Sequence, residues 1–405
     1  MADVLKSRDG QDVEAAVQWA LAEGKALELI GQGSKRAIGR PAQTDLTLDL
    51  SGLSGVTLYE PEELVLSAKA GTPLAEIEAL VASKGQQLAF EPMDCGPILG
   101  GVPERGTIAG ALAANLSGPR RIKAGAARDH FLGLSAVSGR GETFKSGGRV
   151  VKNVTGYDLC KLIAGSWGTL AAMTEVTIKV LPRPETEATV LIRRLDPARA
   201  VEAMTAAMGS SCDVSGAAHL PGPAAACIPE IAGAGGAVTA FRLEGFAPSV
   251  AHRRRMLETL VKPFGELAAI GEAPSRALWR AVRDVTPFAP DRARPLWRIS
   301  TAPSRGAELG AIISREAETQ MLYDWAGGLI WVALGARDDA GAALVRRAVS
   351  ATGGHATLMR ADAAARAAVD VFAMQDASLG ALTKRVKESF DPKRVLNPGR
   401  MWAGV

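Results

Sequence analysis

The chain has 405 residues, enough for two domains with full cores. Its formal charge of +4, from 47 Lys and Arg against 43 Asp and Glu, is too mild for a nucleic-acid-binding surface, and no basic stripe interleaved with aromatics supports one. The four cysteines form no C-x-x-C pair and the four histidines no H-x-x-x-H pair, which argues against an iron–sulfur cluster, a structural zinc or a disulfide framework. No apolar run approaches the roughly 20 residues of a membrane helix, and Met1-Ala2-Asp3-Val4-Leu5-Lys6 has no signal-peptide core, so cytosol is the expected compartment.

The spacing of Val13, Ala16, Val17, Ala20 and Leu21 predicts a helix over 12–24, stopped by Gly24. The apolar run 26–30 predicts a buried strand that opens into Gly31-Gln32-Gly33-Ser34-Lys35. Two glycines one residue apart let successive backbone N–H groups turn toward one point, and Ser34 and Lys35 add donors, which is the composition of an anion-binding nest. The third glycine of a dinucleotide fingerprint would fall at Arg36, and no G-K-[ST] is present, so neither a Rossmann nor a P-loop reading applies. Alone, the run is equally well a glycine turn after a strand.

Strands are expected over 44–50, 56–59 and 64–70, and a helix over 74–84 with Pro73 at its first turn. Residues 91–106 are a proline- and glycine-rich loop long enough to be functional or disordered. The run Gly106-Thr107-Ile108-Ala109-Gly110-Ala111-Leu112-Ala113-Ala114-Asn115 is made of small residues that let backbone approach backbone or a ligand closely. Strands around 135–138 and 142–145 and an alternating strand over 173–181 lead to Pro182-Arg183-Pro184, which mark a domain boundary.

Beyond that boundary the pattern repeats. Strand 188–193, helix 197–208, strands 214–220 and 237–246 and helix 249–262 make one β-α-β-β-α set. Strand 296–301, helix 305–316, strands 321–325 and 329–334, helix 340–351 and strand 355–360 make a second, with 275–285 linking the two. Each set resembles a ferredoxin-like unit, so one broad antiparallel sheet with helices on one face is expected. A last helix over about 375–389 precedes Asp391-Pro392 and Asn397-Pro398-Gly399-Arg400.

The order of the nest, Gly106-Thr107-Ile108-Ala109-Gly110, Ala127-Arg128-Asp129, Val151-Lys152-Asn153-Val154-Thr155-Gly156-Tyr157-Asp158-Leu159 and Gly165-Ser166-Trp167-Gly168-Thr169-Leu170 resembles FAD proteins of the vanillyl-alcohol oxidase type. Ser117-Gly118-Pro119-Arg120-Arg121, Leu296-Trp297-Arg298-Ile299-Ser300, Asp324-Trp325-Ala326-Gly327-Gly328 and Gly353-Gly354-His355-Ala356-Thr357-Leu358 are similar to the E-subunit family of bacterial glycolate oxidases. The resemblance implies an α+β chain: a PCMH-type FAD-binding domain over 1–184 with subdomains 1–55 and 56–184, a cap of two ferredoxin-like units over 185–374, and a tail over 375–405 that returns to the FAD domain. It implies that Gly31, Gln32, Gly33, Ser34 and Lys35 wrap the FAD diphosphate and that Gly101, Thr107, Ile108, Gly110 and Ala111 pass along its other side. Ser117, Asp129, Val176 and Ile178 would lie near the rest of the cofactor. Family members often have Gly-Gly where this chain has Ala109-Gly110, and Pro-Pro where it has Pro92-Met93. The implied partners are a larger FAD-containing subunit and an iron–sulfur subunit, the implied substrate is a small 2-hydroxy acid, and any membrane contact is peripheral. The first loop lacks the histidine that tethers FAD in some members, and Cys95 reads as packing, so non-covalent FAD is expected.

Oxidising a 2-hydroxy acid on a flavin needs a cation for the carboxylate and a base for the hydroxyl proton. Arg298, in an alternating strand, is the candidate for the first because a guanidinium offers a bidentate fork, with Arg242 and Arg360 as weaker candidates. His355, after Gly353-Gly354, is the candidate base; five positions from Arg360 it points to the opposite strand face. Arg120, Arg121 and Lys123 form a basic turn, either an anion contact or a solvated surface. Catalytic members of the wider family carry a His-x-Gly-Asp-Gly-Asn stretch that this chain lacks. Three readings stay open: an FAD subunit with catalysis shared or delegated, a self-sufficient FAD-linked dehydrogenase, and a non-catalytic scaffold.

Overall fold

A computed structural model describes residues 3–41, 43–149 and 156–405. Residues 151–155 of the Val151 motif lie outside these.

The chain opens with β1 (Asp3–Lys6), α1 (Gly10–Glu23), β2 (Leu27–Ile30) and β3 (Leu46–Asp49). The Asp9 carboxylate accepts the N–H groups of Gln11 and Asp12 and so caps α1, and Gly24 ends it at φ 63°. The strands form a parallel sheet in the order β1-β3-β2, on which α1 buries Val13, Ala16, Val17 and Ala20. Strand β2 therefore ends at the nest with a helix behind it.

The second layer comprises β4 (Val56–Glu60), β5 (Val65–Lys69), α2 (Leu74–Ala82), α3 (Ile108–Ala114), β6 (Phe131–Ser138), β7 (Thr143–Gly147) and β8 (Ala171–Lys179). Its antiparallel sheet has the order β4-β5-β8-β6-β7. The small-residue run becomes α3 because Thr107 Oγ1 accepts the Gly110 N–H at 3.3 Å as its cap, and Ile108 and Leu112 anchor it in the core. Alanines on its remaining faces leave the backbone open to close approach.

The third layer is one eight-stranded antiparallel sheet. Its first unit is β9 (Thr186–Arg193), α4 (Pro197–Met208), β10 (Gly216–Leu220), β11 (Val238–Gly245), α5 (Ala247–Val261) and β12 (Leu267–Ile270). Helix α6 (Glu272–Arg283) then crosses to the second unit: β13 (Leu296–Ser300), α7 (Gly306–Glu316), β14 (Thr319–Asp324), β15 (Leu329–Leu334), α8 (Ala342–Thr352) and β16 (His355–Arg360). The order β12-β9-β11-β10-β14-β15-β13-β16 is two ferredoxin-like units joined edge to edge, with His219 opposite Tyr323 at the seam. Strand β12 completes the first unit; its range was not read from the sequence, because its four residues, none of them buried, carry no alternating signal.

Register puts Glu187, Thr189, Arg242, Glu244, Asp324, Arg298, Trp331 and Thr357 on one face of this sheet. The other face is covered by α4 and α5 through Val190, Ile192, Met204, Phe241, Val250 and Leu257. The polar face receives the long loop of the N-terminal half. Arg242 donates to both Glu91 carboxylate oxygens at 2.8 and 3.1 Å, and Arg120 donates to Glu244 at 3.1 and 2.7 Å. Burial alone would raise the Glu244 pKa, but Arg242 and Arg120 outweigh it and hold it at about 2, against 4.5 for an unperturbed glutamate. A carboxyl lowered on folding contributes stability above its unfolded value and loses that contribution as pH falls through its folded value. The melting temperature is thus expected to drop between pH 4.5 and about 2, and Glu244→Gln, which cannot titrate, to flatten that drop. Superimposable acid limbs for the two proteins would contradict this.

Finally α9 (Ala377–Phe390) carries the chain back to the first sheet, where the Leu27 N–H donates to Val395 O at 2.7 Å and the Asn397 N–H to Leu27 O at 2.9 Å.

Candidate functional site

A cleft of about 710 Å³ runs between the nest, α3 and the start of β8. Gly31, Gln32, Gly33, Ser34 and Lys35 form one wall, Thr107, Ala109, Gly110, Ala113 and Ala114 the second, and Trp167, Gly168, Ala171, Ala172 and Met173 the third. The first two walls nearly touch: a Cβ on Gly31 would sit 2.5 Å from Thr107 Oγ1. Gly33 takes φ 76°, a left-handed turn that glycine adopts freely. Among the described residues no protein acceptor takes the N–H groups of Gly31, Gln32, Gly33, Ser34 or Lys35. Five successive unspent amides on a cleft wall suit a diphosphate.

The C-terminal tail fixes this wall. Asn397 Oδ1 accepts the Leu29 N–H at 2.8 Å, and Asn397 Nδ2 donates to Trp167 O at 2.8 Å. Arg400 donates through Nη2 to Lys35 O at 2.9 Å and lies over the Trp167 ring at 5.6 Å. Arg400 lines the cleft, and its Nε is buried with no partner among the described residues. Burial brings the Arg400 pKa down to about 10, so it is a cation at neutral pH. A cationic guanidinium and free amides lining one cleft are what a phosphate would satisfy.

The side chains of the remaining residues expected at the cofactor do not line this cleft. Ile108, Ala111, Val176 and Ile178 spend their side chains in the core of the second layer. Ser117 Oγ accepts the Ala127 N–H at 2.9 Å, Asp129 Oδ2 accepts the Ala126 N–H at 2.8 Å, and Gly101 is exposed in its loop. His130 is buried with its ring nitrogens at 3.3 Å from Lys179 O and 2.9 Å from Ala124 O, a structural placement. Arg400, Trp167 and Met173 were not singled out as lining residues; the first two stand in quoted motifs, but nothing local in the sequence points them at the nest.

In the cap, Arg298 pairs with Thr357 and Ser300 with His355 in the β13–β16 ladder, so Arg298 and His355 share one face. Burial, then the charge of Arg121, brings the Arg298 pKa down to about 10. Solvent reaches the His355 ring, yet the protein packed around it and then the guanidinium groups of Arg298 and Arg121 hold its pKa below the ordinary histidine value. It is a neutral imidazole at pH 7, able to accept a proton. The weaker cationic candidates are structural. Arg242 is spent on Glu91, and Arg360 donates to the carbonyls of Ile98, Phe288, Asp291 and Arg294 at 2.7 to 3.0 Å. Cys95 is buried, and burial pushes its thiol up to about 11.

The family model described as an FAD binding domain matches residues 2–147, which contain the nest and α3. The glycolate oxidase subunit GlcE of Escherichia coli K12 is 33% identical over 388 residues, covering 96% of this chain and 95% of that protein. The chain belongs to the GlcE family of FAD-linked oxidoreductase subunits. The glycolate oxidase subunit GlcD of Bacillus subtilis 168 is 33% identical over 151 residues, 37% of this chain and 30% of that protein. Its likeness is confined to part of the chain, whereas the likeness to GlcE includes the cap. The 4-ethylphenol oxidase of Gulosibacter chungangensis superposes with a TM-score of 0.74 at 13% identity, covering 99% of this chain and 89% of that one. At that identity the match speaks for the fold alone. FAD is therefore the cofactor of this α+β chain, and the free amides and Arg400 fit it.

Proposed function

We propose that this chain is the FAD-binding subunit of a glycolate-oxidising complex, working with a larger FAD-containing subunit and an iron–sulfur subunit on glycolate and similar 2-hydroxy acids. The observation that carries the reading is the end-to-end likeness to GlcE, 33% identity over 96% of the chain. Gly31, Gln32, Gly33, Ser34, Lys35 and Arg400 would hold the diphosphate, with Thr107 and Gly110 on its far side. When bound, FAD supplies the two-electron acceptor for the substrate. The cofactor would be dissociable, since the first loop holds no histidine and Cys95 is a buried packing residue.

The chain's own residues bind and orient the substrate. Arg298 takes the carboxylate in its two-pronged fork. His355, neutral and two strand positions from Thr357, accepts the hydroxyl proton at a ring nitrogen. Among the described residues no helix is long and apolar enough to cross a membrane, and the complex would work in the cytoplasm with any membrane contact made through its partners.

The test is glycolate-dependent dye reduction by the complex reassembled with this chain, without it, and with an Arg298→Met chain. Omission should abolish turnover, and Arg298→Met should lower kcat/KM by about 10- to 100-fold, the worth of a hydrogen bond to a charged group, with FAD content unchanged. Full turnover without the chain would overturn the reading. Full turnover with Arg298→Met alone would move substrate oxidation to the partner and leave this chain an electron-carrying subunit.

A further inference from the structure

Trp325 sits at the junction of the two halves in an unusual backbone. Trp325, Ala326 and Gly327 have φ values of 51°, 57° and 98°, three consecutive left-handed residues of which only the glycine is at ease. Such a run persists where its surroundings over-determine it. Here Asp324 Oδ1 accepts the Trp325 N–H at 2.7 Å, and Trp325 Nε1 donates to Gly118 O at 3.1 Å in the N-terminal half. The indole is thus pinned from both sides.

Two guanidinium groups lie over that indole, Arg121 at 4.4 Å from the N-terminal half and Arg298 at 5.0 Å from the cap. Neighbouring arginines of the same junction are neutralised: Arg120 by Glu91 and Glu244, Arg242 by the same pair. Among the described residues no carboxylate forms an ion pair with Arg121 or Arg298. The nearest acid on that face, Asp324, is buried, spends its Oδ1 on the backbone, and is pushed by burial to a pKa of about 7. Two like charges held against one indole, with no carboxylate ion-paired to either among the described residues, leave a place for an external anion.

We infer that Arg121 and Arg298, held together on Trp325, form a clamp for the carboxylate of a small 2-hydroxy acid, closed by one arginine from each half of the chain, with Trp325 as its positioning residue. The inference rests on the function proposed above and deepens it: the substrate site spans the junction instead of belonging to the cap alone. The π-system of the indole attracts both cations and offsets their mutual repulsion before the anion arrives. Arg121 is exposed and meets the ligand first, and Arg298 lies deeper, half-buried on its strand.

The test is calorimetric titration of the FAD-loaded chain with glycolate, with uncharged glycolamide and with inorganic phosphate. Glycolate should bind and glycolamide should not, and Arg121→Met and Arg298→Met should each raise the glycolate Kd by about 10- to 100-fold. Trp325→Phe keeps an aromatic face and Trp325→Leu does not, while both lose the bond to Gly118. At equal melting temperature, tighter glycolate binding by Trp325→Phe than by Trp325→Leu separates a platform from a packing residue. Wild-type affinity in Arg121→Met, equal affinity in the two Trp325 variants, or phosphate binding as tight as glycolate would overturn the clamp. Absence of glycolate binding by the chain, with a reassembled complex that still needs the chain to oxidise glycolate, would overturn the clamp and leave the function standing.

Discussion

Asp391→Ala is expected to destabilise the chain by about 3–5 kcal/mol, the cost of leaving one charge of a buried pair alone. Lys387 and Asp391 are 2.8 Å apart at 1% and 0% side-chain exposure. Every other bond they make holds the tail. Lys387 Nζ donates to Thr169 O at 2.6 Å and Leu396 O at 2.9 Å, and the Asp391 carboxylate accepts the N–H groups of Val395 at 2.9 Å and Leu396 at 2.8 Å. Those residues lead directly into Asn397 and Arg400, which brace the nest. Loss of Asp391 should therefore lower FAD retention as well as stability. A urea titration of the apo chain reads the first effect, and flavin remaining after gel filtration the second. The Lys387→Met/Asp391→Ala double variant removes the lone charge and is expected to be less unstable than Asp391→Ala. A single-variant loss under about 1 kcal/mol would contradict the assignment of a buried pair.

Gly31→Val should abolish FAD retention. A Cβ at position 31 would lie 2.5 Å from Thr107 Oγ1 and 3.0 Å from its Cγ2, so the new side chain must displace the residue that caps α3. Overpacking of about 1–3 kcal/mol at the contact between two cofactor walls corresponds to roughly 5- to 150-fold weaker binding if the holo form alone requires the close approach. Gly33→Ala provides the comparison. Nothing lies within 4 Å of a Cβ there, so only the φ of 76° is strained, at a cost of about 1–2 kcal/mol. Flavin titration of the two apo variants should rank Gly31→Val as the weaker binder; equal affinities would show that the contact with Thr107 does not shape the site.

The legible parts of the sequence were those whose physics is local. The nest could be read because converging amides require glycine at close spacing, and the paired ferredoxin-like units because alternation and helical periodicity survive in short windows. Helix α3 was hidden: its alanines and glycines carry no amphipathic contrast, so the run read only as a place of close approach. Val176 and Ile178 lie in a strand whose alternation was legible, but their side chains face a core that only the β5–β8–β6 ladder creates. Ser117 and Asp129 looked like cofactor contacts, yet each caps a nearby backbone N–H, a use that short polar side chains have anywhere in a chain. The bracing of Leu29 by Asn397 joins residues 368 positions apart. Arg121 likewise finds Trp325 only when both halves are folded, and no periodicity reports such a meeting.

The most direct measurement is the flavin absorbance of the purified chain, followed anaerobically through addition of glycolate and then of the partner subunits. The account predicts a chain that carries FAD, released by denaturation, whose absorbance band is lost to glycolate in the assembled complex and is missing altogether in Gly31→Val. A colourless wild-type chain that takes up no FAD, beside a complex that oxidises glycolate equally well without it, would contradict the account.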